Sequence, residues 1–197
     1  MADQDPEQAE PGGPGRRPDA AEALRVAKRT YLAGERVDMQ KLAAELGVDR
    51  TTLFRWVGNR DQLLGAVLWS VGEPALRAAR DGMTKPGAQG VAEVMGRFVE
   101  GLINADSLRA FLRREPERAL RLLTTKASIV QREVVAAVED LLKQEHDRGT
   151  LTHPMDVHDL AYLVVRIAES FIYTDIITGD QPDSAKAATA VASLLGA

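Results

Sequence analysis

The stretch from Val37 to Leu64, VDMQKLAAELGVDRTTLFRWVGNRDQLL, constrains the fold more than any other part of the chain. Asp38 stands where it can cap a short helix by accepting the free N–H groups of the first turn. Leu42, Ala43 and Leu46 then share one face. Gly47 falls where that helix must end and the chain must turn sharply, with φ above zero. Val48 plugs the gap, and Asp49 caps a second helix on which Leu53 and Val57, four apart, face the first. Ala43 is small, as a close helix crossing requires. Asn59 caps a third helix, and Gln62 completes a capping-box-like pair. Two short helices about a tight turn form a helix-turn-helix, whose second helix enters the major groove of DNA.

Leu46-Gly47-Val48, followed by Thr52-Leu53-Phe54 and Asn59-Arg60, resembles the DNA-binding motif of the TetR family of bacterial regulators. The resemblance covers roughly residues 19–64, and the chain length of 197 fits the family. It implies an all-α protein: an N-terminal three-helix bundle with the helix-turn-helix, then a larger helical ligand-binding and dimerisation region. One departure is visible. The family usually has Tyr where Phe54 stands, so a hydroxyl that commonly reaches phosphate is replaced by a ring that can only pack, for example on a thymine methyl. A finer resemblance lies in REPERALRLLTTKASIVQREVVAAVEDLL and DLAYLVVRIAESFIYTDIITG, which are similar to the QsdR-type subgroup. That subgroup implies a lactone or related acyl compound as effector; residue chemistry alone implies only a small, partly apolar ligand.

The net charge of −4 argues against nucleic acid until it is resolved along the chain. Residues 16–60 carry ten Lys and Arg against six Asp and Glu, and this basic segment coincides with the helix-turn-helix. A local basic patch, rather than overall charge, attracts phosphate. There are no cysteines, which removes disulfides and thiolate metal sites and fits a reducing cytoplasm. No apolar run approaches the length of a membrane span, and the first residues lack a signal pattern. A cytoplasmic protein, on the nucleoid when bound to DNA, is expected.

Residues 1–18, rich in Pro, Gly, Asp and Glu, are expected to be a disordered tail. Arg16 and Arg17 at its end are either an arm for the minor groove or solvated charges. Residues 19–64 are expected to form the DNA-binding domain and 65–197 the ligand-binding and dimerisation domain, with about nine helices in all. Asp19 starts a first helix running to about Leu32. Pro74 is expected to break or kink the fourth. From Pro116 to Arg148 runs one long amphipathic pattern with a possible break near Thr124-Thr125. The segment Asp156–Thr178 is too apolar for a single buried face. The last helix, about Ser184–Leu195, carries the small-residue stripe Ala185, Ala188, Ala192. In the family the last two helices pair with their mates as a four-helix bundle, which implies a homodimer; the alternative is that they complete a monomer core.

By position in the motif, Gln40, Arg50, Thr51, Thr52, Phe54, Arg55 and Trp56 are expected to face DNA, with Arg50 and Arg55 the candidates for guanine. Trp56 has a core reading beside that one. Arg60, at a helix N-terminus, is the candidate phosphate anchor, with Lys41 a weaker one. For the effector, Tyr162, Arg166, Glu169 and Tyr173 recur at helical spacing within the apolar segment. Two readings stand. Arg166 and Glu169 form a structural ion pair, or the stripe joins Trp69, Phe98 and Leu102 as a pocket wall. His146, His153 and His158, with Asp156 and Asp159, match no metal-ligand pattern, and no cofactor is expected. No phosphate-cradling glycine loop or nucleophile motif is present, so an enzyme is not expected. The reading is a dimeric repressor released from a double-stranded operator by a small molecule; a ligand-independent DNA-binding regulator is the alternative.

Overall fold

A computed structural model describes residues 18–197, and the expectations for the tail, including Arg16 and Arg17, fall outside them. The described residues form eleven helices and no strand: α1 (Ala20–Leu32), α2 (Met39–Glu45), α3 (Arg50–Val57), α4 (Arg60–Asp81), α5 (Gly87–Ile103), α6 (Asp106–Arg114), α7 (Pro116–Thr124), α8 (Val130–Asp147), α9 (Val157–Ile172), α10 (Thr174–Ile177) and α11 (Ser184–Leu195). The all-α class holds, and two more helices are present than expected. One extra arises because the chain leaves helical geometry at Thr125, which is extended. The connection crosses α4 at Gly65, where any side chain would strike Ser128. The other arises at Tyr173, where α9 ends and the single turn of α10 begins.

Each of the first four helices starts on its expected cap. Asp19 accepts from Glu22 N–H, Asp38 from Gln40 and Lys41, Asp49 from Thr52, and Asn59 with Gln62 makes both halves of a capping box. Gly47 turns with φ of 64°, and the Val48 N–H donates to the Ala43 carbonyl. Ala23, Val26 and Ala27 of α1 pack with Leu42, Ala43 and Leu53 in the core.

Pro74 does not break α4, which runs unbroken from Arg60 to Asp81. Proline at this position removes the N–H that the Ser70 carbonyl would accept four residues earlier. The Lys28 ammonium on α1 donates to that carbonyl at 2.9 Å and takes its place. The lost backbone bond is thus replaced by one from a residue 42 positions from Ser70.

Behind α4, the body is built on α5, α8, α9 and α11. Gly96 of α5 lets α11 approach so closely that a Cβ there would lie 2.9 Å from Ala188 Cβ. Part of the small-residue stripe is therefore spent on contact within the chain. Glu145 of α8 is fully buried and joins the end of α8 to the start of α5. It accepts from the Gly87 N–H (2.7 Å), the Thr150 hydroxyl (2.7 Å) and Arg148 (2.6 Å). Burial acts to raise its pKa, but these donors outweigh it and hold the carboxyl below its ordinary value. Gly87 itself has φ of 64° and no room for a side chain against Thr150. Among the described residues no helix is long and apolar enough to cross a membrane.

Candidate nucleic-acid interface and ligand cavity

The outward face of α3 is built from the inside. Leu53 is completely buried, which fixes the rotation of the helix. Arg50, Thr51, Phe54 and Arg55 are then exposed, Phe54 to 57%. Phe54 thus presents an apolar ring beside two arginines on the exposed face. Gln40 and Lys41 stand exposed at the start of α2. Backbone N–H donors at the caps hold the Asp38 and Asp49 carboxyls below their ordinary pKa, so both caps stay ionised and intact at neutral pH.

Three residues of the expected interface sit differently. The Thr52 hydroxyl donates to Asp49 at 2.9 Å, so it serves the cap first. Trp56 is only partly exposed and packs against the core, the alternative its position allowed. Arg60 is the larger departure. Its two terminal nitrogens donate to the two Glu115 oxygens at 2.6 Å each, and its Nε donates to the Val37 carbonyl at 2.6 Å. Both partners are mostly covered, with side-chain exposures of 15% and 16%. The Arg60 hydrogen bond pulls the Glu115 carboxyl below its ordinary pKa despite burial. Arg118 and Arg121 of α7 add pairs to Asp61 on α4, at 3.0 and 2.5 Å. In this conformation Arg60 is a tie between the start of α4 and the α6–α7 junction, with each of its three nitrogens donating and two of its five N–H groups left over.

The second feature is a cavity of about 70 Å³ lined by α1 and α4 to α9. Its wall is mostly aliphatic. Trp69, Phe98, Leu102, Glu169 and Tyr173 line it, as the pocket reading required. Tyr162 and Arg166 do not. Helical spacing does place them on the side of Glu169, but the cavity meets only the second half of α9, through Val165, Ala168, Glu169 and Ile172. Tyr162, earlier on the helix, is 49% exposed. Arg166 lies outside the wall, donating to the Thr124 carbonyl (3.3 Å) and to Glu169 (2.6 Å). Arg166 and Glu169 thus form the ion pair, and of the two only Glu169 reaches the cavity wall.

With its amide oriented to satisfy its neighbours, Gln131 donates to the other Glu169 oxygen at 2.7 Å. Burial pushes the Glu169 carboxyl up to about 7, against the pull of Arg166. Tyr173 is almost fully buried, and its hydroxyl makes no hydrogen bond among the described residues. Burial raises its pKa. Spacing within one helix could not reveal two further wall residues, Tyr31 and Ser107. Tyr31 belongs to α1, where its period marks it as core, and it meets Phe111 edge-on at 6.1 Å between ring centroids. Burial pushes its hydroxyl up to about 12, opposed by a hydrogen-bonding interaction with Ser107.

Residues 86–196 match the family model for the tetracyclin repressor-like C-terminal domain. The chain belongs to the TetR family. The fold is similar to that of the R. erythropolis transcriptional repressor QsdR, with a TM-score of 0.83 and 32% identity over 90% of this chain and 94% of that one. A TetR-family transcriptional regulator from Rhodococcus sp. aligns over 90% of this chain and 97% of its own, at 17% identity and a TM-score of 0.48. No curated protein sequence matches the chain. In this TetR-family regulator α2 and α3 are the helix-turn-helix, and α4 runs from it to the helical body.

Proposed function

We propose that this TetR-family regulator is a dimeric repressor that leaves its operator when a small, mostly apolar molecule occupies the cavity. The observation that carries the reading is the mostly apolar cavity, into whose wall Tyr173 brings a hydroxyl that makes no hydrogen bond among the described residues. Small-ligand sites are built this way, and a ligand acceptor atom would pair that hydroxyl. Residues 19–64 act as the DNA-binding domain and 65–197 as the effector and dimerisation domain in this reading. Similarity to QsdR favours a lactone or acyl compound as effector.

Dimerisation places two α3 helices on successive major-groove faces, roughly 34–36 Å apart or a multiple of it. The exposed Tyr162 and the half-exposed Leu163 and Phe171 on the outer face of α9 support a second copy there. An effector shifts the population off DNA only by its preference for the non-binding form. Arg50 and Arg55 read guanine, Phe54 packs on an adjacent base, and Gln40 and Thr51 contact the flanking backbone.

Footprinting on the protein's own promoter, with and without medium-chain lactones, tests the whole scheme. A protected two-fold site that clears on adding lactone is expected; a site indifferent to every ligand would favour the ligand-independent alternative. On that site, Arg50→Ala and Arg55→Ala should each cost about 1–3 kcal/mol and relax preference at one base pair. Parent-like binding by both variants would remove α3 as the reading helix.

A further inference from the structure

Tyr31 is the one cavity-wall residue that comes from α1. It is 4% exposed, at the end of the helix whose earlier turns pack on α3 and α4. The same ring also lines the seam between head and body, beside Val37, Arg60 and Glu115. On its cavity side it shares the wall with Ser107 and with the unpartnered hydroxyl of Tyr173. Its edge-on contact with Phe111 holds it against α6.

Resting on the effector reading above, we propose that the DNA-binding head reads the cavity directly: an apolar molecule with one hydrogen-bond-accepting atom sits between Tyr173 and Tyr31, and pressure on Tyr31 displaces α1 and with it α3. The route follows from packing. Close-packed interiors transmit a displaced ring rather than absorb it. Tyr31 stands at the C-terminal end of a 13-residue helix, so a shift there moves Ala23, Val26 and Ala27, which pack in the same core as Leu53. The ligand class follows from charge. Glu169, the one ionisable carboxyl in the wall, already has Arg166 and Gln131 as partners. The cavity therefore offers a hydroxyl donor and no uncompensated charge, which suits a neutral carbonyl or ether oxygen on an aliphatic frame and disfavours an ionised acid or an amine.

The test needs no identified ligand, because a larger side chain can stand in for one. Ala168 lies in the wall on α9, and Ala168→Leu fills part of the cavity from the side of the body. Affinity of the full chain is measured by anisotropy on the duplex that selection from a random pool returns. Filling should weaken binding by about tenfold, in the ordinary range of coupling between sites. In a Tyr31→Ala background the same filling should change binding by no more than about twofold, as independent sites do. Equal losses in both backgrounds, or none on filling, overturn the proposal. Circular dichroism checks the fold of each variant, and Val134→Phe, on the opposite wall, repeats the cycle where Ala168→Leu is unfolded. If the parent chain selects no duplex, the DNA-binding reading fails by itself. The link is then read by hydrogen exchange: filling must speed exchange in α1 to α3 with Tyr31 present and leave it unchanged with Tyr31→Ala.

Discussion

Four helices open the chain, and each starts on a side chain that accepts from its own first turn: Asp19, Asp38, Asp49 and Asn59. In the body, α5, α6, α7, α8 and α10 start with no such bond. The difference does not follow length, since α4, of 22 residues, is capped and α6 and α7, of 9 each, are not; it separates the head from a body in which α9 and α11 alone carry such a cap, on Asp156 and Asp183. Helices of 7 and 8 residues, as α2 and α3 are, cannot persist on their own hydrogen bonds. Caps lower the cost of starting them and set their direction, so the outward face of α3 is fixed locally. Helix α8, of 18 residues, starts without a cap and is held by the neighbours it packs on. The head is set mostly by local bonds, and the body mostly by packing.

Removing a long-range bond from the body should do the most damage. Glu145→Ala leaves the buried Gly87 N–H without its acceptor and is expected to destabilise the fold by about 3 kcal/mol in denaturant titration. Glu145→Gln should recover part of that. A loss below that of a cap deletion would break the contrast between the two regions.

The seam between them is next. Arg60→Ala strands the half-buried Glu115 carboxylate and should cost about 2 kcal/mol of stability. If Arg60 is only this tie, the salt dependence of operator binding keeps its slope; a slope lower by roughly one would restore Arg60 as a phosphate contact.

A cap deletion in the head sharpens the comparison from the other side. Asp49→Ala should lower stability by less than Arg60→Ala does. It should also weaken operator binding, because the first turn of α3 carries Arg50 and Thr51. The parallel change Asp156→Ala at the start of α9 should lower stability with no such effect on DNA.

The smallest effect is a pH dependence in the body. Glu169 titrates at about 7 in the folded chain against an ordinary 4.5. Between these values the folded state holds a proton that the unfolded chain has released. Its contribution is therefore fully present below about 4.5 and lost as pH rises through about 7. Melting scans should show the parent losing more stability between pH 5 and 8 than Glu169→Gln. Identical pH profiles would mean that Arg166 and Gln131 fully compensate the charge.

What the amino-acid sequence determined by itself was the head. Asp38, Gly47, Asp49, Asn59 and Gln62 act on residues within four positions, and Leu53 orients α3 through helical spacing alone. Rules of that range can be read along a chain, and the bounds of α3 follow from them without adjustment. Only the tertiary structure decided the rest. Lys28 sustains α4 through Pro74 from 42 residues away, Glu115 claims Arg60 from 55, and Tyr31 joins the wall that Tyr173 closes. In each case the partner is chosen by where helices cross. Periodicity shows which face of a helix is apolar, and it is silent on which helix that face will meet. That is why Tyr162 and Glu169, seven apart on one face, end in solvent and in the cavity respectively.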